Sequence, residues 1–210
     1  MTDTSVPDIH GILLAAGLST RMEEPKQLLP FGESTIVETV VDNMLNAKFI
    51  QVVVVVGHCA DQIKQVLGQR PVKLVFNPDY RDGMLTSAQK GIRSLNLVNA
   101  KNESNRDAFS LMLVDQPFVT HELINRVIDA YAGTNKGIVL PSYNNRRGHP
   151  VIFHKKYAEK ILALSTQSGG VRDLYASYSD DIYYVNVDTD AVLRDIDYKE
   201  DYENAIKEVK

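Results

Sequence analysis

The chain is poor in the features that mark several common protein classes. Of its 210 residues one is a cysteine, Cys59. That excludes an intrachain disulfide and a cysteine-based zinc site, and it fits a reducing compartment. There is no excess of positive charge: 23 lysines and arginines against 27 acidic residues leave a formal net charge of −4. Broad electrostatic capture of nucleic acid is therefore not expected, and a small anionic ligand would need a local cationic pocket. No apolar run approaches the roughly 20 residues of a membrane-spanning helix. The start, MTDTSVPD, has no basic segment leading into an apolar one. A cytoplasmic protein with no nucleic-acid or membrane partner is the expectation. Internal repeats are lacking too, as are GxGxxG and the glycine–lysine–serine ending of a P-loop. Neither a typical dinucleotide site nor an ordinary P-loop NTPase is supported.

What is present is an ordinary globular composition, 44% hydrophobic and 24% charged, in a length that suits one domain over residues 1–210. Ile9 to Ala15 reads as a short buried strand that stops before Gly17. In STIVETVVDNMLNA, Thr35 and Glu38 resemble a capping box and the apolar residues recur at helical spacing. QVVVVVG reads as a central strand buried on both faces. ADQIKQVLG and SAQKGIRSL read as helices, with VKLVF a strand between them. NLVNAKNESNRD reads as an exposed polar loop before the strand FSLMLV. HELINRVIDAYAG is helical, and GIVLPSY and HPVIF are strands flanking a polar turn, NNRRG. The tail supplies two helical stretches, the strand IYYVNV and a last helix from about Lys199. This alternation predicts an α/β fold, a three-layer sandwich around a mostly parallel twisted sheet, with ligands beyond the carboxyl ends of the strands.

The stretch GILLAAGLSTRMEEPKQLLPFG lies where that rule puts a ligand. Small residues let the backbone approach one, Gly17 is free to take a positive φ, and successive amides form an anion-binding concavity. Arg21 and Lys26 add positive charge, so the parts suit a polyphosphate. A tight turn with two solvated cations is the competing reading. Asp115 ends the apolar strand LMLV and faces the same crevice. It suits either a hard divalent cation or a structural turn. Gly169, Gly170 and Arg172 in SGGVRDLY offer a second anion site at a helix start.

LLAAGLSTRM followed by PKQLLPFG resembles the signature of the nucleotidyltransferases of the glycosyltransferase-A-like fold, LAAGxSxRM, then lysine, then LLPxxG. The resemblance implies that Leu14, Ala15, Ala16, Gly17, Ser19, Arg21 and Lys26 wrap a nucleoside triphosphate, with Arg21 and Lys26 at the reacting phosphates. Where relatives carry glycine after the methionine, this chain has Glu23 and then Glu24. Carboxylates there repel a triphosphate unless they point outward. VLRDIDYKEDY is similar to the family's DIDTPEDY element. That implies Asp195 as the second metal ligand beside Asp115, Asp197 as the next choice, and one of Asp195, Asp197 and Asp201 as a helix cap.

Two further stretches resemble the molybdenum-cofactor branch, the MobA-like NTP transferases. NPDYRDGMLTSAQKGI matches NPxxxxGxxxS and implies that Ser87 meets the base, although a helix N-cap is its plain alternative. RRGHPVIF matches GHPxxF and implies that Gly148, His149 and Pro150 lie near the acceptor, with Arg146, Arg147 and Arg172 supplying cations. Guanylyltransferases usually carry Ala-Gly-Gly where this chain has Ala-Ala-Gly. The Ala16 methyl would favour a pyrimidine, an effect of about 1–3 kcal/mol. The resemblance thus implies a Mg2+-dependent enzyme that joins CTP to a molybdopterin phosphate and releases pyrophosphate. Its product would pass to a molybdenum hydroxylase or that enzyme's maturation chaperone. The rivals are a GTP-dependent relative, a sugar- or polyol-phosphate cytidylyltransferase, a non-catalytic cofactor carrier, and a redox enzyme, for which no flavin or dinucleotide motif is present.

Overall fold

A computed structural model describes residues 7–22, 24–95 and 106–209. In chain order the elements are β1 (Ile9–Ala15), β2 (Pro30–Phe31), β3 (Ser34–Thr35), α1 (Ile36–Leu45), β4 (Gln51–Val56), α2 (Ala60–Leu67), β5 (Lys73–Phe76) and α3 (Met84–Ser94). There follow β6 (Ala108–Leu113), α4 (His121–Gly133), β7 (Ile138–Tyr143), β8 (Arg146–Arg147), β9 (Val151–His154), α5 (Ala158–Leu162), α6 (Asp173–Ser177), β10 (Ile182–Asn186) and α7 (Lys199–Glu208).

The main sheet runs β10-β7-β9-β6-β1-β4-β5, with β8 paired to β7. Strands β5, β4, β1 and β6 are parallel to one another, as are β7 and β10, and β9 runs antiparallel to β6 and β7. Alternation along each strand splits the core into two faces. On β4, Val52, Val54 and Val56 pack on one side with α1, α2, α4 and α7, while Val53 and Val55 pack on the other with α3, α5 and α6. This is the three-layer α/β sandwich the sequence predicts. The Thr35–Glu38 capping box also forms: the Thr35 amide donates to the Glu38 carboxylate at 2.9 Å and the Glu38 amide to the Thr35 hydroxyl at 3.4 Å. The chain winds from β1 outward through β4 to β5, then returns to place β6 on the other side of β1. That reversal opens a crevice at the carboxyl ends of β1 and β6.

The stretch expected as two strands around a turn is one hairpin with an interruption. Asn144 and Asn145 both take positive φ, 48° and 62°, which suits the tight two-residue connection between β7 and β8. From Ser142↔Arg147 to Val139↔Ile152, β7 moves three residues while its partner moves five. Two extra residues are accommodated there, as in a bulge, and they fall in Gly148–Pro150. Most of the loop read in NLVNAKNESNRD lies outside the described residues. Its end departs from that reading, since Asp107 is fully buried and Arg106 donates to the Tyr131 carbonyl at 2.8 Å.

Helix α3 packs so closely on the sheet that a Cβ on Gly91 would lie 2.5 Å from Ile12 Cγ2 and 3.1 Å from Val55 Cγ2. Two effects oppose one another in Gly91→Ala. Helix propensity favours alanine by about 1 kcal/mol, whereas overpacking a core costs about 1–3 kcal/mol. Both neighbours are β-branched and fixed in strands, so overpacking wins and the variant unfolds at lower denaturant than the parent with an unchanged slope.

Candidate active site

A cavity of about 300 Å3 fills the crevice. Leu14 near the end of β1, Ala16 and Gly17 after it, Lys26 and Gln27, Ser87 on α3, and Asp115 after β6 all line it. Ala15 does not. Its side chain is buried beneath the loop, and only its backbone is in play. A Cβ on Gly17 would meet no protein atom within 4 Å, so that glycine keeps space open in the cavity rather than within the protein. The left-handed residue of the loop is not Gly17 but Ser19, with φ 54°.

The loop is held by Gln27, a buried residue the sequence reading passed over. Its amide nitrogen donates to the Gly17 carbonyl at 2.9 Å and to the Ala15 carbonyl at 3.4 Å. Its oxygen accepts from the Ser19 hydroxyl at 3.1 Å, and that hydroxyl accepts from the Lys26 amide at 3.1 Å. One side chain thus ties both ends of the loop together. Glu23 lies outside the described residues. Glu24 is exposed, does not line the cavity, and helps burial push the Tyr202 hydroxyl pKa up.

At the floor of the cavity Lys26 Nζ donates to Asp115 Oδ2 and to Asp197 Oδ1, both at 2.8 Å. Burial works against the ammonium, but the Asp115 and Asp197 carboxylates outweigh it and hold the lysine pKa above its ordinary value. Arg21 donates to Asp197 Oδ2 at 3.2 Å and lies over the Tyr198 ring, 5.3 Å from its centroid. Of the two candidate partners for Asp115, Asp197 is the one joined to it through a shared cation. Asp195 turns toward Gln116, whose amide donates to Asp195 Oδ1 at 2.6 Å. Burial and the charges of Asp115 and Asp197 raise the Asp195 pKa. Asp201 does the capping, accepting from the amides of Tyr198 at 2.7 Å and Asp197 at 3.1 Å.

Ser87 lies inside α3 and is not its N-cap, because the helix starts at Met84 behind Gly83, whose φ of 106° suits only glycine. The buried Asn77 amide donates to the Ser87 hydroxyl at 3.0 Å, and Tyr80, Gly83 and Met84 complete that end of the cavity.

The Gly148–Pro150 segment lies beside the cavity rather than on its wall. A Cβ on Gly148 would strike the Val192 carbonyl, and the His149 amide donates to that same carbonyl at 3.3 Å. Burial lowers the His149 pKa to about 4, against the pull of Asp115 and with help from Arg172. The imidazole is therefore neutral at pH 7 and faces both a site carboxylate and an arginine. Arg147 is engaged elsewhere, over the rings of Tyr175 and Tyr184 at 5.3 and 5.7 Å. The anion site expected at Gly169 and Gly170 is already filled from within. Asp173 accepts from the Gly169 amide at 2.9 Å, and the Ser168 hydroxyl accepts from the Gly170 amide at 3.2 Å. Arg172 remains exposed.

Two measurements check this geometry. Gln27→Met keeps the length of the side chain but leaves the Gly17 carbonyl and Ser19 hydroxyl without their partner, so unfolding stability falls by about 1–3 kcal/mol. For His149 the folded pKa lies below the unfolded value of about 6.5. Protonation therefore favours the unfolded chain, and the stabilisation is full above that value and lost as pH falls toward 4. An NMR titration of the imidazole is expected to show a midpoint near 4; a midpoint at the ordinary histidine value would contradict its burial.

The chain is similar to proteins of known kinds. The model of the MobA-like NTP transferase domain matches residues 11–182. The chain is 26% identical over 196 residues to the molybdenum cofactor cytidylyltransferase of Escherichia coli (strain K12), covering 92% of this chain and 93% of that protein. It is 33% identical over 157 residues to a probable molybdenum cofactor guanylyltransferase of Bacillus mycoides (strain KBAB4), covering 73% and 72%. It is also 29% identical over 183 residues to the nicotine blue oxidoreductase of Paenarthrobacter nicotinovorans, covering 82% and 83%. Among solved structures, Rv0371c from Mycobacterium tuberculosis H37Rv superposes with a TM-score of 0.81 at 26% identity, covering 97% of this chain and 99% of that one. A complex of Rv0371C with manganese gives 0.74 at 24%, covering 97% and 100%. With the family match spanning most of the chain, from Gly11 within β1 to Ile182 at the start of β10, the protein belongs to the MobA-like NTP transferase family.

Proposed function

We propose that the protein is a metal-dependent cytidylyltransferase, one domain over residues 1–210, that transfers CMP from CTP to the phosphate of a molybdopterin-type acceptor. The observation that carries this reading is the meeting of Lys26 with Asp115 and Asp197 on the floor of the cavity. Three carboxylates, Asp115, Asp195 and Asp197, gather against two cations, Lys26 and Arg21. Such a site repels a triphosphate until a divalent cation joins it. The residues fit that cation, because Asp115 Oδ1 is buried and has no hydrogen-bond partner among the described residues. Asp115 and Asp197 would hold it, with Asp195 beside them. Among the described residues no group of three or more acidic, histidine or cysteine side chains forms a cage for an ion, so nucleotide phosphates would complete its shell. When bound, Mg2+ would neutralise charge developing on the phosphates.

In the reaction an acceptor phosphate oxygen bonds to the α-phosphorus while the bond to the bridging oxygen breaks and pyrophosphate leaves. Leu14, Ala15, Ala16, Gly17 and Ser19 form the loop around the nucleotide, Ser87 contacts the base, and Lys26 and Arg21 stabilise charge on the phosphates. The Ala16 methyl, which lines the cavity, would favour a pyrimidine, and the E. coli relative is named a cytidylyltransferase. Gly148, His149 and Pro150 border the acceptor, with neutral His149 as a hydrogen-bonding group and Arg172 as the cation for its phosphate. The product would serve a molybdenum hydroxylase or its maturation chaperone in the cytoplasm. Among the described residues no helix is long and apolar enough to cross a membrane. The Bacillus mycoides relative supports GTP as the second reading.

Calorimetry with CTP, GTP, ATP and UTP in the presence of Mg2+, followed by pyrophosphate release on adding molybdopterin, tests this. Tightest binding of CTP with pyrophosphate release is expected. Preference for GTP would keep the mechanism and overturn the base assignment, and nucleotide binding without pyrophosphate release would favour a carrier. Asp115→Asn is expected to cut turnover by at least about 100-fold; retention of most of the turnover would remove Asp115 from the reaction.

A further inference from the structure

Lys26 occupies a particular seat. Its ammonium lies 2.8 Å from Asp115 Oδ2 and 2.8 Å from Asp197 Oδ1, bridging the two carboxylates assigned above to the metal. The lysine side chain is only 12% exposed, against 38% for Asp197 and 58% for Arg21, so it sits in the inner part of the cluster and Arg21 in the outer. A divalent cation binds carboxylate oxygens at about 2.0–2.6 Å. A cation held between these two carboxylates, with the unpartnered Asp115 Oδ1 among its ligands, would sit against the space the ammonium fills, and two positive centres there would repel strongly.

From this geometry we propose that Lys26 and the divalent cation compete for one seat between Asp115 and Asp197. The lysine must move out before the metal is held, and the negative phosphates of the nucleotide are what draw it out. Metal and nucleotide therefore load together, and metal alone binds weakly. This rests on the nucleotidyltransferase reading for the identity of the anion, but the competition itself does not. Gln27 and Ser19 make the exchange local. They fix the Lys26 backbone amide and the loop around it, so the ammonium can swing toward the cavity while the loop stays in place. Arg21 can stay on Asp197 Oδ2 and the Tyr198 ring during the exchange, because it uses the other oxygen of that carboxylate.

The probe is Mn2+ alone, titrated into the full chain without nucleotide and followed by electron paramagnetic resonance. A seat filled by the lysine nine-tenths of the time or more weakens apparent metal affinity about tenfold or more, and Lys26→Met removes that handicap. Lys26→Met is thus expected to bind Mn2+ about tenfold more tightly than the parent. The gain should disappear in Lys26→Met/Asp197→Asn. Lys26→Gln, titrated in the same way, serves if the methionine variant does not fold. Equal or weaker Mn2+ binding in the folded lysine variant overturns the proposal, as does a gain that survives loss of Asp197. Failure of the transferase reading looks different: no nucleotide is turned over, yet the gain in Mn2+ affinity remains.

Discussion

The structure depends on a repulsion that has to be managed. Asp115, Asp195 and Asp197 converge at the carboxyl end of the sheet, and bringing carboxylates together is unfavourable without cations between them. Lys26 is the principal one. It lies 89 residues from Asp115 and 171 from Asp197 in the chain, so two ion pairs join the first loop, the end of β6 and the segment before α7. The rest of the C-terminal element serves to bring Asp197 to that point. Arg194 stacks on Phe118 at 3.7 Å and forms a two-pronged pair with Glu208, at 2.6 and 2.9 Å. The Tyr202 hydroxyl reaches back to the Pro30 carbonyl at 2.8 Å. These contacts clamp both sides of the Asp195–Asp197 segment, so the carboxylates are held by the fold as well as by the lysine.

Much of this was legible from one dimension because the physics behind it is local. The β-branched run of β4 can only be a strand buried on both faces, and Thr35 with Glu38 specifies a helix start through neighbours in sequence. Their places after a loop and a strand put Lys26 and Asp115 at one crevice, but only the family resemblance gave them a shared site there. The remainder depends on which distant group captures a side chain. Asp195 and Asp197 sit two residues apart in the same element, and Gln116, some 80 positions away, takes the first and leaves the second to Lys26. Gln27 reads as one polar residue before a leucine pair, and only the folded loop shows that it spans Gly17 and Ser19. The apparent anion site at Gly169 fails for a similar reason, since the aspartate four residues on fills it.

The hairpin beside the cavity shows the opposite strategy, with packing used in place of ion pairs. The bulge at Gly148–Pro150 is pinned to the Val192 carbonyl, next to the segment that carries Asp195 and Asp197. Beneath the hairpin, Phe109, Phe153 and Tyr175 stack outward from the core, with ring centroids 5.6 and 6.5 Å apart, and Arg147 lies on the outermost ring. Burial pushes the Tyr175 hydroxyl pKa up to about 12, so the ring stays neutral beneath that guanidinium. An arm anchored this way has little freedom to follow a ligand. The ion-paired floor is the reverse, since Lys26 and Arg21 end long flexible side chains that can change partners without backbone movement. Under the proposed function, adaptation therefore falls on the side that would meet phosphates and metal, whose charges change during a reaction. On the same reading, rigidity falls where an acceptor would have to be held in line with it.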